Sequence, residues 1–542
     1  VTAPGVLYRR GEVVTLAPGQ APAAAVATAG ARVVAVGDEE TCRAALGAAG
    51  AADVACVDLD GACVLPGFID THLHPIGIVY YDMHADLRGM RTIADVQAAL
   101  RRSADAAAAG EWVVGLQLED ADLEERRLPT RVELDAACPA HPVVVMKHDS
   151  HSATGNGLAL AAAGIGTRTP DPPGGRIERD ARGVPTGVCR EAAAQVLFGA
   201  VPAPSIDRLR ATSRRSFARL AACGITSAGV VLQTDDEGPG GAAGSLESLA
   251  MILLLDELPF APYAILGGRT VDAAAAARAS ALHDPAAGRR VGGYKIFADG
   301  TFGSCTACMR APFADRPEER GFLLLDEPEI LDRMRAADAA GFQICVHAIG
   351  DRALERCIDL YERLLRERPR RDHRHRIEHA SIVPPDLVPR MARLGLAVST
   401  QPLFIHSEKG WLHRRLGAER ARDVYPLRAL IDGGVLVAGA SDAPVESTSV
   451  LHAIQCCVTR EGFETHQALT ALEALRLFTV DAARIQFEEH EKGTLAAGKR
   501  ADLVVLRENP LAIEPERIAD VRVLRTVAGG RVVHDTRELE VR

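Results

Sequence analysis

Eight short candidate strands, spaced by turns and helical stretches, constrain this chain more than any other feature. They are Phe68–His72, Gly224–Val231, Phe260–Leu266, Gly293–Ala298, Gly341–His347, Arg376–His379, Gly395–Thr400 and Val435–Gly439. Amphipathic, Ala/Leu/Arg-rich segments separate several of them, as at Ser205–Cys223, Pro328–Ala340 and Ala353–Arg366. Gly224, Gly341, Gly395 and Gly434 stand where a helix ends in a left-handed cap before the next strand. Eight strands alternating with helices predict an α/β protein built on a (β/α)8 TIM barrel.

Two parts of the chain fall outside this alternation. The first 65 residues and residues 491–542 are rich in short strands (Gly11–Thr15, Ala24–Thr28, Arg32–Val36, Asp53–Asp58; Ala501–Leu506, Val521–Val527, Gly530–Val533). Both ends together are expected to form one small β-sandwich flanking a barrel over residues 66–490. Residues 74–223 are far more than a single βα loop requires. An inserted subdomain is expected there, over about residues 80–205, covering the active-site face.

Composition narrows the function classes. The 542 residues are 47% hydrophobic and 25% charged, with a formal net charge of -10. That balance argues against non-specific nucleic-acid binding, which needs clustered Lys and Arg. No apolar run is long enough for a membrane span. The opening VTAPGVLYRRGEVV lacks the apolar centre of a signal peptide, so a cytoplasmic protein is expected. The twelve cysteines form no spaced framework and are read as reduced. Cys305-x-x-Cys308 has no second CxxC and is read as structural or substrate-lining.

The chemistry lies at the strand ends. Leu65-Pro66-Gly67-Phe68-Ile69-Asp70-Thr71-His72-Leu73-His74-Pro75 closes the first barrel strand. Residues i and i+2 of a strand point to one side, so His72 and His74 can converge on one ion. Imidazole suits Zn, Fe, Ni or Mn. Strand four carries Lys295, strand five ends at His347, strand six at His379, and strand eight runs into Asp442. Barrel active sites are built at the C-terminal ends of the strands, so all six residues should meet there. A Lys inside an apolar strand must find a partner or lose its charge. Lys295 therefore has two open readings: a salt bridge to Asp299 or a substrate group, or a neutral amine that takes up CO2 as a carbamate.

VLPGFIDTHLHP, GYKIFADGTFGSCTA, CVHAIGDRA, RIEHA, STQP, GASDAP and KGTLAAGKRADLVVL, taken in order, resemble the motif series of the amidohydrolase superfamily. The branch most resembled contains N-substituted formamide deformylases, and the likeness covers nearly the whole chain. It implies that His72 and His74 hold one metal, and His347 and His379 a second. Carboxylated Lys295 would bridge them in a binuclear centre, most often of two Zn2+, with Asp442 touching metal and water. It also implies hydrolysis of a C–N bond in a small amide, such as an N-formyl or N-acyl compound, by metal-activated hydroxide with Asp442 as general base and then acid. His151 in the insert is expected to contact substrate or the tetrahedral intermediate, with a hydrogen bond holding the insert in place as the alternative. Asn156, Gln401 and Asp299 are expected near substrate, and Asp351 as a helix cap.

The departures from the family pattern concern the pocket. Cys305 stands where the family has Arg, and Gly157 follows Asn156 where Ser is expected. Gly115–Asp120 lacks the usual Gly-Trp-Asp character, and His406 and Trp411 lie in a loop without a counterpart. Opening of a cyclic amide or imide, or deamination of a heterocycle, would use the same groups. A non-catalytic binding protein on the same fold predicts loss of a ligand, whereas every ligand is present. The expected partner is a small-molecule amide, with no nucleic acid or membrane; self-association as a homo-oligomer is compatible with the fold.

Overall fold

The computed structural model describes residues 4–19, 22–51, 53–108, 110–147, 152–235 and 257–541. The chain divides into two compact units, Val1–Ile76 with Ser213–Arg542, and Gly77–Thr212. Among the described residues no helix is long and apolar enough to cross a membrane.

The larger unit contains an eight-stranded parallel sheet curled into a barrel. Its strands are β1 (Phe68–Leu73), β2 (Ile225–Gln233), β3 (Ala261–Gly267), β4 (Arg290–Phe297), β5 (Gln343–Ala348), β6 (Arg376–His379), β7 (Ala397–Thr400) and β8 (Leu436–Gly439). Each pairs with the next in parallel, from β1 with β2 through to β7 with β8. Every residue of β1, β2, β5, β6 and β7 is buried. That continuous burial is what a parallel sheet sheathed by helices produces.

Closure between β8 and β1 uses side chains and loop backbone. Thr71 Oγ1 donates to Gly439 O at 3.0 Å and lies 2.7 Å from Ser399 Oγ. His74 N donates to Ala443 O, and Asp442 N to His72 O, each at 2.8 Å. These bonds tie Asp442, beyond β8, directly to the histidines of β1.

The helices follow from their apolar spacing. Asp351–Glu367 buries Ala353, Leu354, Cys357, Ile358, Leu360, Tyr361 and Leu364, a stripe at helical period. Tyr361 Oη reaches Ile344 O at 3.2 Å and Arg376 O at 3.0 Å, so this helix is pinned to both β5 and β6. The four glycines before strands have φ of +82° (Gly224), +78° (Gly341), +69° (Gly395) and +81° (Gly434), as their positions predict. Gly67 is small for another reason: a Cβ there would lie 2.2 Å from Thr226 Oγ1 on β2.

The two chain ends hydrogen-bond into one nine-stranded sheet. Cys63–Pro66 pairs antiparallel with Leu503–Leu506, which joins the N-terminal and C-terminal pieces just before β1. The first strand runs over Gly5–Val13, earlier than the Gly11–Thr15 expected. Within this strand Arg9 and Arg10 pair with Glu39 and Asp58, each at 2.8 Å. Leu7 and Tyr8 enter different cores. Leu7 packs with Ala25, Ala27, Cys42 and Leu46, whereas Tyr8 packs with Val26, Val57, Val505 and Leu524.

The smaller unit, Gly77–Thr212, has its own six-stranded sheet. Its order is Gly175–Arg179, Pro185–Glu191, Ser152–Gly155, Val143–Lys147, Val113–Leu118 and Ala85–Asp86. Leu87, Val96, Leu100, Leu134 and Val143 belong to one core of this unit. Capping boxes at Thr92–Asp95 and Thr130–Glu133 start two of its helices.

Candidate metal centre

The strand ends bring the expected groups together. His72 Nε2 lies 3.4 Å and His74 Nε2 3.0 Å from Asp442 Oδ1. The ligand atoms of these three residues all lie within 4.8 Å of one another. The ring of His72 is 5.2 Å from that of His379, which is 4.4 Å from that of His347. His72, Lys295, His347, His379 and Asp442 are all buried, and His74 is partly open to solvent. Asp442 and His379 adopt positive φ of +57° and +72°, and Ala380 after them +47°. Residues with a Cβ hold that conformation only where surrounding contacts over-determine it.

The electrostatics favour neutral imidazoles. Burial and the nearby Lys295 push His72 down to about 4, with Glu378 pulling the other way. Burial and Lys295 also bring His347 to about 3, and burial with His347 takes His379 well below the ordinary range. Neutral imidazole is the form that binds a metal. Burial works to protonate Asp442, but the hydrogen bond from His74 and the surrounding imidazoles hold its carboxyl well below the usual range.

Lys295 has the least ordinary environment. Its Nζ is buried without a hydrogen-bond partner among the described residues and lies 4.9 Å from the Phe297 ring centroid. Burial lowers its pKa, although Glu378 and Asp442 oppose the shift. Of the readings left open by sequence, the salt bridge to Asp299 is not formed. Asp299 instead accepts backbone N–H groups of Cys308 (2.9 Å), Ile349 (3.0 Å) and Gly350 (2.8 Å). Burial raises its carboxyl to about 7 against these three donors.

Two further residues, Glu378 and Arg376, have no role in the sequence reading. Glu378 Oε2 lies 2.5 Å from His72 Nδ1, and both side chains are fully buried. This contact places the proton on Nδ1 and leaves Nε2 facing the site. Arg376 holds both Glu378 oxygens and donates to Thr71 O at 2.9 Å. The available signal was the alternation Arg376-Ile377-Glu378-His379: two charges in a four-residue buried strand must be paired.

The remaining expected residues are placed as follows. Gln401 Oε1 lies 2.9 Å from His379 Nδ1 and orients that ring. Asn156 caps a helix within the smaller unit: its Oδ1 accepts from Val143 N and Ala159 N, and its Nδ2 donates to His141 O. His151 lies outside the described residues. Asp351 is not the cap expected: Gly350 is the N-cap of the helix after β5, and the side chain of Asp351, its first residue, accepts Arg310 N at 2.7 Å. Cys305, at φ +58°, meets Arg415 from the segment after β7, with Nη1 and Sγ 2.9 Å apart.

These residues fit a divalent metal. His72 Nε2 and Lys295 Nζ are buried polar atoms with no hydrogen-bond partner among the described residues, each costing about 1–3 kcal/mol if left unsatisfied. Uncharged histidines and an ionised aspartate surround them. His72, His74, His347, His379 and Asp442 supply nitrogen and oxygen donors of the type zinc takes.

Comparisons with known proteins agree with the fold. The description "Amidohydrolase family" matches residues 55–534. N-substituted formamide deformylase of Arthrobacter pascens is 30% identical over 531 residues, covering 94% of each chain. An uncharacterized metal-dependent hydrolase from Pyrococcus furiosus has a TM-score of 0.75 at 25% identity, over 94% of this chain and 100% of that one. Atrazine chlorohydrolase TrzN from Arthrobacter aurescens TC1, complexed with zinc, shares the fold with a TM-score of 0.54 at 14% identity, over 98% and 95% of the two chains. A barrel of this topology, with histidines, a buried lysine and an aspartate at its strand ends, belongs to the amidohydrolase family of hydrolases.

Proposed function

We propose that this protein hydrolyses the C–N bond of a small amide, with N-formyl and N-acyl compounds as the first substrate class to test. The observation that carries the reading is the convergence of His72, His74, Lys295, His347, His379 and Asp442, with His72 Nε2 and Lys295 Nζ buried and without hydrogen-bond partners among the described residues. The relative named N-substituted formamide deformylase supports the amide class.

His72 and His74 would hold one divalent ion, His347 and His379 a second, with Asp442 beside the first. A bound ion of this type lowers the pKa of water from 15.7 towards about 7 and polarises a carbonyl. Zinc is the metal expected. Burial lowers the pKa of Lys295 and so favours the free amine, which can add to CO2 and release a proton, giving a carbamate anion that would bridge the two ligand sets.

The chain's own groups carry the protons. Ionised Asp442 accepts the proton of the attacking water as the carbonyl carbon gains its new C–O bond. It then delivers that proton to the departing nitrogen as the C–N bond breaks, giving an acid and an amine. Glu378 and Gln401 hold the rings of His72 and His379 in the orientation this requires. Cys305 and Arg415 offer a thiol and a guanidinium in place of the family's arginine, a chemical difference expected to alter substrate choice.

The test joins metal analysis to a panel of N-formyl, N-acyl and cyclic amides. Turnover of N-formyl or N-acyl amides is expected, falling about 10²–10⁴-fold in Asp442→Asn. Turnover of cyclic amides alone would assign ring opening instead. A metal-loaded protein inert across the panel would overturn the reading. Isotopically labelled bicarbonate should give a carbamate NMR signal that disappears in Lys295→Met. Its absence from metal-loaded protein would remove the bridging lysine.

A further inference from the structure

A second group of metal-ligand side chains lies outside the site just described. His406 sits on the short helix Phe404–Glu408 after β7, and His452 on the helix Val450–Thr459 after β8. Glu461 stands in the turn that follows. His406 Nδ1 is 3.0 and 2.9 Å from the two Glu461 oxygens, and His452 Nε2 is 3.1 Å from Oε1. The two rings are 4.7 Å apart and nearly perpendicular, at 70°. Cys456 Sγ lies 3.6 Å from Glu461 Oε1, and Lys409 Nζ pairs with Oε2.

The carboxylate is delivered by a rigid support. Arg460 is fully buried and donates to Tyr425 O (2.8 Å), Val424 O (3.1 Å) and Phe463 O (3.2 Å). That anchorage holds Arg460 and Glu461 at φ of +52° and +45°. The carboxylate therefore faces both imidazoles from a fixed backbone. Burial opposes its charge, yet Lys409, His452 and His406 bring Glu461 to about 2.

We propose that His406, His452 and Glu461 form a second, peripheral site for a divalent transition metal such as Zn2+. Two imidazoles and a carboxylate are a zinc donor set, and three protein ligands leave a fourth position for water. At bond lengths near 2.0–2.1 Å, tetrahedral ligand atoms lie about 3.4 Å apart. The observed N···O separations of 2.9–3.1 Å lie within a few tenths of an ångström of that spacing, and all three ligand atoms lie within 4.8 Å of one another. His406 remains half exposed, so an ion has a route in from solvent. Lys409 neutralises the carboxylate without the metal and competes with it.

The site would join segments that leave the C-terminal ends of β7 and β8. The first of these also carries Phe404, whose ring lies parallel to that of His379 at 6.4 Å. Metal at the outer site would therefore fasten the segment packed on a ligand of the inner site.

Equilibrium dialysis of the full-length protein against buffered free Zn2+, followed by elemental analysis, tests this directly. Wild type should hold one equivalent more than His452→Gln or His406→Ala at the same free Zn2+. Lys409→Met keeps all three ligands and removes the competing charge, so it should bind that equivalent about tenfold more tightly. Equal zinc content in wild type and both histidine variants would overturn the proposal. So would unchanged or weaker binding in Lys409→Met, which identifies the cluster as an ion-pair network. Should a histidine variant fail to fold, Lys409→Met decides the question alone.

Discussion

Glu378→Gln separates two roles that the structure joins in one carboxylate. Glu378 receives His72 Nδ1 at 2.5 Å on one oxygen and shares both oxygens with Arg376, with all three side chains fully buried. Glutamine preserves the shape and one acceptor but removes the charge. Arg376 then keeps a buried positive charge with no counter-charge in contact. Removing one partner of a buried pair costs about 3–5 kcal/mol. The lower end, about 3 kcal/mol, is expected because the amide oxygen and Thr71 O still accept from Arg376. The loss at His72 is separate. A weakened partner behind a ligating imidazole costs about 10–100-fold in metal affinity, or about 1.4–2.7 kcal/mol. Denaturant unfolding of metal-free protein measures the first loss, and chelator competition for Zn2+ the second. Adding Arg376→Met to Glu378→Gln should recover much of the stability without recovering the affinity. Wild-type zinc affinity in a destabilised Glu378→Gln protein would refute the orienting role and leave Glu378 as a partner of Arg376 alone.

Three further outcomes follow from the same structure. Gln401→Met removes the acceptor at His379 Nδ1 and should weaken metal binding about tenfold, measured by the same competition. Tyr361→Phe loses the hydroxyl between Ile344 O and Arg376 O and should cost about 1 kcal/mol in denaturant unfolding. Glu133 is held at about 2, below an ordinary value of 4.5, by hydrogen bonds from Arg127 and Thr130 that outweigh burial. A carboxylate with a depressed folded pKa stabilises fully above its unfolded value and loses that contribution as pH falls through the folded one. Glu133→Gln should therefore cost about 1 kcal/mol at pH above 4.5, with the difference from wild type shrinking as pH falls towards about 2. A constant difference across that range would exclude the charge as its source.

Much of the scaffold was legible because its signals are local. All eight barrel strands fall on the expected segments, most of which are apolar because strands buried on both faces favour apolar residues. The glycines before β2, β5, β7 and β8 mark helix ends because their backbone conformation disfavours a Cβ. The first strand starts earlier than expected, with Arg9 and Arg10 inside it, paired to Glu39 and Asp58 from later elements that its local sequence does not show. RIEHA was visible as a motif, but the roles of Glu378 and Arg376 depend on His72 and Thr71, some 300 residues earlier.

The sequence by itself determined which residues could ligate a metal and at which strand ends they stand. A period-2 strand and a helix cap are written in neighbouring residues. Only tertiary structure decided that Lys295 ends without a hydrogen bond, that Asp299 is taken by three backbone N–H groups, and that Glu378 stands behind His72. Burial and hydrogen-bond partnership set the charge and orientation of those groups. Both depend on chain segments that meet only when the barrel closes.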